Sequence, residues 1–189
     1  MLSLNSFRKQ LAQPITSWQL CLLGVIGGFA SASLIILFTL SIDAIQQLYL
    51  VKKDNYNSLD SLSRFDLPII GALIILLFAW LTGYKYLRTG IPLVLHRLKV
   101  ANGVMPLKNT LNQFWGSAIA LATGFSVGRE GPAVHLGAAS SSYIGNIFKL
   151  PHNSMRTLCG CGVAAAIAAS FNTPIAAVLF VMEVILREY

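Results

Sequence analysis

The sequence predicts an all-α polytopic membrane protein whose spans are broken and re-entrant. Three observations carry this. First, the 189-residue chain is 55% hydrophobic and only 11% charged, whereas soluble domains carry about a quarter of charged residues. Its mean hydropathy is +0.66. Second, uncharged runs cover 10–42, 67–84, 109–128, 131–148 and 157–182. Each is near or above the roughly 18 apolar residues that suggest a span, although polar residues thin out the third and fourth. Open sheets leave backbone groups unpaired in lipid, so the spans must be helices. Third, glycine and proline interrupt the apolar pattern at 88–92, 128–132 and 172–174, each time with a proline near the restart.

The elements follow in order. Residues 1–17 form a polar segment and 18–189 the transmembrane domain. The N-terminus shows no cleavable signal, because the first apolar run is too long for a signal core. Residues 2–11 read either as a short amphipathic surface helix or as a frayed tail. The first span, about 18–50, is long for one perpendicular crossing, and a tilt absorbs the excess. Its Gly24 and Gly28 form G-x-x-x-G, which lets a neighbouring helix approach closely. A second span returns over about 67–87.

The net charge of +7 does not indicate nucleic acid, because the basic residues cap apolar runs and form no stripe. They report orientation instead. Arg8 and Lys9 precede the first span, and Lys85, Arg88, Arg97, Lys99 and Lys108 fill 85–108 without an acid. The positive-inside rule makes both regions, and so the N-terminus, cytoplasmic. The 52–66 loop mixes Lys52, Lys53 and Arg64 with Asp54, Asp60 and Asp66, which suits the outer side. Cys21, Cys159 and Cys161 all lie inside apolar runs. They read as small packing residues, since positions i and i+2 of a helix face apart and no partner ligand stands near. No metal site or cofactor is expected.

After the second span, Y-L-R-T-G-I-P-L-V-L-H-R-L at 86–98 contains a breaker, Gly90. Pro92 suits the first turn of a new helix and Thr89 can cap it. Taken alone, this stretch reads as an ordinary cytoplasmic turn. Gly128, Gly131 and Pro132 then split what would be one span into 109–128 and 131–148. Residues 160–169, G-C-G-V-A-A-A-I-A-A, are nearly all small and belong inside a bundle. In S-F-N-T-P-I-A-A, Asn172 or Thr173 can cap a helix begun by Pro174.

A helix that starts inside the bilayer leaves its first N–H groups unpaired. They must face protein, water or a ligand, and their dipole favours an anion. Partial charges hold an anion weakly enough for it to leave, as conduction requires. Glu130, in G-F-S-V-G-R-E-G-P-A-V-H-L-G at 124–137, would compete for those N–H groups and block the seat. Protonated or swung aside, it would open the path. An intramembrane acid costs about 2.5–3.5 kcal/mol, which marks it as functional by default. The competing reading is a structural ion pair with Arg129. His135 stands alone and reads as a packed or water-facing side chain.

G-R-E-G-P at 128–132 resembles the signature of the CLC chloride channels and chloride/proton antiporters. R-T-G-I-P at 88–92 is similar to that family's G-S-G-I-P. The run 162–183 resembles the family's small-residue helix and the N-x-P-L-A-G-x-L-F-x-x-E helix after it. The resemblance implies a chloride pathway, with voltage gating as one of the family's modes, in a homodimer whose subunits each contain two inverted halves. It assigns the gate to Glu130, and the anion seat to Thr89, Gly90, Ile91, Pro92, Gly128, Arg129, Gly131 and Pro132. Thr89 stands where the family has an anion-contacting serine and keeps a hydroxyl. Arg88 replaces the loop's first glycine. The antiporters' second, inner glutamate falls at Val184, next to Glu183, which favours channel-like over proton-coupled transport.

The resemblance covers the N-terminal half of the inverted-repeat fold, without the G-x-F-x-P loop and tyrosine of the second half. Half the helix ends would then be missing, and such a half alone would not conduct. The expected protein is no enzyme. Its partners are chloride, membrane lipids and a second copy at full length, and in a bacterium it sits in the inner membrane. The alternatives are a chloride/proton antiporter of the same family or a non-conducting truncated scaffold. A cation transporter using Glu130 and Glu183 would want more clustered acids.

Overall fold

The computed structural model describes residues 17–50, 55–56, 60–83 and 89–186. The expected surface helix at 2–11, the basic residues Arg8, Lys9, Lys85 and Arg88, and the Lys52, Lys53 and Asp54 part of the outer loop lie outside the described residues. Those residues form helices and turns without a strand. The helices are α1 (Ser17–Gln47), α2 (Ser61–Leu81), α3 (Gly90–Val100), α4 (Leu107–Ala122), α5 (Glu130–Ile147), α6 (His152–Phe171) and α7 (Pro174–Phe180). A π-helical turn, Val181–Leu186, continues α7.

Three of these helices, α1, α2 and α6, are long and apolar enough to cross a membrane. The 31 residues of α1 extend about 46 Å at 1.5 Å per residue, more than the roughly 30 Å hydrocarbon core. The thinner runs give shorter helices: α4 has 16 residues and α5 has 18. The turn reading of 86–98 is corrected. Residues 90–100 form an eleven-residue helix that buries Gly90, Leu93, Val94 and Leu98. Its basic end suggested surface, but its apolar face packs into a core with Met105, Val134, Met155 and Val163.

Small residues fix how the long helices meet. Gly24 and Gly28 face α6: a Cβ there would lie 3.3 Å from Cys161 Sγ and 3.4 Å from Ala165 Cβ respectively. The G-x-x-x-G pair therefore seats α6. Ser31 Oγ donates to Gly137 O at 3.1 Å and lies 3.2 Å from Ser141 Oγ. Ser141 Oγ also reaches Gly27 O at 3.4 Å. The pairs Ser31–Gly137 and Gly27–Ser141 run α5 antiparallel to α1. These serines are buried, and such contacts leave no polar group bare in the seam. Cys159 is buried beside Gly103 O and Ala138 O, as a packing residue should be. Cys21 and Cys161 are exposed, and all three thiols are free.

The seam also sets the depth of the interruptions. Ser31 is midway along α1 and touches Gly137, so Glu130, seven residues before Gly137, lies about 10 Å along α1 from its midpoint, still short of the helix end. Ala165 sits opposite Gly28, which brings Phe171 and the second restart to a similar level. At the far end, Tyr56 O–H reaches Leu121 O at 3.2 Å and Ala122 O at 2.7 Å. Gln46 Nε2 donates to the Tyr56 oxygen at 3.0 Å. Tyr56 thus ties the terminal carbonyls of α4, which lack helical partners, to the end of α1.

The tightest crossing gives a stability test. A Cβ at Gly137 would come within 2.6 Å of both Ala166 Cβ and Gly162 O. Gly137→Ala should destabilise the bundle by about 1–3 kcal/mol through overpacking. Gly28→Ala, with ordinary contact, should be neutral or gain up to about 1 kcal/mol from helix propensity. Thermal unfolding midpoints in detergent check both, and a drop for Gly28→Ala matching that of Gly137→Ala would refute the assignment.

Candidate functional site

The central interruption lies at 125–129, where the chain is non-helical between α4 and α5. Gly124 turns the chain out of α4 at φ +85°, a conformation that glycine adopts without a Cβ penalty. α5 then starts at Glu130, with Arg129 as N-cap residue and no side-chain cap. Ala133 N–H is the first to find a helical partner, Arg129 O at 3.0 Å. Pro132 has no N–H to offer, so the free donors of this turn are the amides of Glu130 and Gly131. Nothing lies within 4 Å of where a Gly131 side chain would stand. Residues 128–132 therefore do not continue a rod. They are a helix start within the bundle.

The other two restarts converge on it. Gly90, the first residue of α3, has φ +63°, and a Cβ on it would lie 3.5 Å from Gly131 Cα. The R-T-G-I-P and G-R-E-G-P segments thus touch backbone to backbone. Ile91 is half-buried against the core of Val94 and Val134, while Pro92 is exposed. The third restart follows Asn172, which ends α6 in the left-handed conformation at φ 56°. Thr173 occupies the N-cap position and Pro174 the first turn of α7. Neither Thr89 nor Thr173 makes the side-chain capping bond expected of it.

Glu130 faces a cavity of about 270 Å³ lined also by Val134, Ile167, Phe171, Ala176 and Phe180. The walls come from α5, the end of α6, and α7, and carry no basic residue. Arg129 is half-buried and takes no part in that lining. Thr89 lines a different cavity, of about 210 Å³, between α2 and α4. The structure therefore joins Gly90 to Gly131, and Glu130 to the α7 restart, but places Thr89 and Glu130 on separate hollows. A larger hollow of about 510 Å³ among α1, α4 and α5 holds none of the motif residues.

Glu183 is exposed on the π-helical turn, and its neighbour Val184 is half-buried against the core of Val94 and Val134. Arg156 Nη2 donates to Leu186 O at 3.2 Å, which holds that turn to α6. His135 is fully buried, with Nε2 3.5 Å from Thr110 Oγ1. It is a packed side chain. Among the described residues no group of three or more His, Cys, Asp or Glu could hold a metal.

Three features went unread in the sequence. Phe171 and Phe180 line the Glu130 hollow, but aromatic residues in apolar runs carry no local mark. The π turn at 181–186 has no simple pattern. The side chains opposite Thr89, Asn112, Gln113 and Ser117, do leave a trace: with Asn109 and Gly116 they recur on one face of α4 at helical spacing.

A family model described as voltage gated chloride channel matches residues 70–189. The chain is 34% identical over 131 residues to the ClcB-like protein of Ralstonia nicotianae, covering 65% of this chain and 30% of that one. It is 40% identical over 81 residues to the H(+)/Cl(-) exchange transporter ClcA of Vibrio cholerae, covering 42% and 16%. The ClcA of Vibrio campbellii gives the same figures. The chain thus spans less than a third of the length of these relatives. No solved structure matches it. The family match takes in all three interruptions and the helices that start from them, so this integral membrane protein belongs to the voltage gated chloride channel family.

Proposed function

We propose that the protein contributes an anion pathway for chloride, with Glu130 as its gate. One observation carries the reading. Glu130 is the first residue of a helix that begins within the bundle, and it stands exposed at an open-sided, largely apolar hollow shared with the restart of α7. An acid in that position sits beside free amides whose partial positive charge favours an anion. The carboxylate is then the resident anion, and it leaves the seat when it takes a proton or swings into the hollow. The relatives' names, a ClcB-like protein and chloride/proton exchangers, agree with chloride as the ion. The anion seat comprises Thr89, Gly90, Ile91, Pro92, Gly128, Arg129, Gly131 and Pro132.

Transport through this pathway is channel-like. Val184 is apolar and packed in a core, and it can neither carry nor relay a proton. The second reading, chloride/proton exchange, is favoured by the exchanger names of the Vibrio relatives. It needs another acid to take the proton inward, and Glu183 is the nearest on the same turn.

The test is chloride efflux from liposomes, with the protein isolated at whatever length its cell makes it. Wild-type flux should rise as pH falls, because protonation removes the competing carboxylate. Glu130→Gln cannot ionise, so its flux should be high and flat with pH. The increase at neutral pH should be about tenfold or more, as for a barrier lowered by at least about 1.4 kcal/mol. Flux with the wild-type size and pH profile in Glu130→Gln would remove the gate from this residue. With a proton-sensitive dye outside the same liposomes, chloride efflux should move no stoichiometric protons. A fixed proton-to-chloride ratio would decide for the exchanger.

A further inference from the structure

We propose that Cys21 of α1 and Cys161 of α6 form a two-thiol clamp that takes a soft, two-coordinate metal ion, of the class of Cu(I), across the helix seam. The two cysteines are far apart in the chain, and the close packing of α1 on α6 brings them together. A Cβ on Gly24 would lie 3.3 Å from Cys161 Sγ, and one on Gly28 would lie 3.4 Å from Ala165 Cβ. The two helices therefore run in the same direction here, with Cys161 over Gly24. Cys21 stands three residues before Gly24, one turn away on the same face of α1. Gly24 has no side chain, so Cys161 Sγ rests in a notch with nothing of Gly24 between it and Cys21. The two thiols are near enough to act on each other electrostatically.

Both thiols are free and exposed, unlike Cys159, which is buried on another face of α6 beside Gly103 O and Ala138 O. Their depth makes them reachable. The 31 residues of α1 extend about 46 Å against a hydrocarbon core of about 30 Å, so a centred helix has about 8 Å outside the core at each end. Cys21 lies about 6 Å from the start of α1, and Cys161, at the level of Gly24, about 10 Å. The pair thus stands at the edge of the hydrocarbon, where an ion arrives from water.

The donor set selects the ion. Thiolates favour soft metals. Zinc in a structural site wants four ligands, and among the described residues no third His, Cys, Asp or Glu joins the pair. Two sulfurs alone suit a closed-shell ion that binds linearly, as Cu(I), Ag(I) and Hg(II) do. Binding breaks two S–H bonds and forms two sulfur–metal bonds; both protons leave to water and no electron is transferred. Rotation of each thiol about its Cα–Cβ bond brings the sulfurs to the ion. The bridge ties the start of α1 to α6, on the seam that sets these two helices in register.

The experiment is titration of the purified, folded protein with Hg(II) in nitrate buffer. Free thiols are then counted by N-ethylmaleimide labelling and mass spectrometry. One Hg(II) per chain should remove the labels at both Cys21 and Cys161 and leave Cys159 as in untreated protein. Cys21→Ala and Cys161→Ala change exposed positions, so both should fold, but each loses the chelate. Glutathione should strip Hg(II) from either variant at about hundredfold lower concentration than from wild type. Hg(II) should also raise the thermal unfolding midpoint of wild type, because the bridge closes a long loop, and leave that of both variants unmoved. Loss of one label per Hg(II), equal stripping from wild type and variants, or loss of Cys159 labelling in place of Cys161 would each overturn the clamp. So would mercury-linked peptides that join Cys21 of one copy to Cys21 of another.

Discussion

Everything in this bundle depends on one constraint: a helix broken in lipid must have its open backbone covered by protein. The cover comes from close backbone approach. Gly90 and Gly131 meet with no side chain between them, and this brings the starts of α3 and α5 together. The approach is possible because the long helices are already locked at short distance. Gly27, Ser31, Gly137, Ser141 and Gly162 form a seam in which hydroxyls meet carbonyls and each other. Lipid tails are as apolar as leucine, so hydrophobic burial alone does not drive helices together there. Packing and interhelical hydrogen bonds do. The seam therefore sets the level of the interruptions, since it registers α5 and α6 against α1.

The same constraint explains what could be read from the chain. Spans and breaks are local properties. Apolar runs give α1, α2 and α6, while Gly128, Gly131, Pro132 and Pro174 mark where α5 and α7 begin. The pair Gly24 and Gly28 announces a close neighbour, and the neighbour is α6. What a local pattern lacks is the partner. The 90–100 segment resembled a cytoplasmic turn because its cations are visible in sequence, whereas the faces that bury Leu93, Val94 and Leu98 belong to α5 and α6. Thr89 and Thr173 have the residue type and position of caps, but their hydroxyls are not bonded to the helix start. Both residues are exposed, and residue type alone does not fix which way a hydroxyl turns.

The candidate site was legible in the same measure. Its residues lie in three glycine–proline interruptions, which stand out in any apolar sequence. Their arrangement does not follow from spacing. Nothing in the chain indicates that Thr89 opens toward α2 and α4 while Glu130 opens toward α6 and α7. The aromatic residues Phe171 and Phe180 are ordinary span residues until the bend at Asn172 turns α7 back over Glu130.

That split arrangement bears on how an anion would move. The two hollows are separate, one lined by the hydroxyls and amides of Thr89, Asn112, Gln113 and Ser117, the other by a carboxylate among apolar side chains. An ion at Thr89 would sit among neutral side chains. To go further it would pass the two glycines, where only backbone dipoles act. In the Glu130 hollow the surroundings are apolar, and the one polar group is an acid of the same sign. Under the proposed reading the step past the glycines would be the costly one, and the carboxylate would control it by competing for the free amides at the start of α5. A side chain at Gly90 would stand 3.5 Å from Gly131 Cα and narrow this approach.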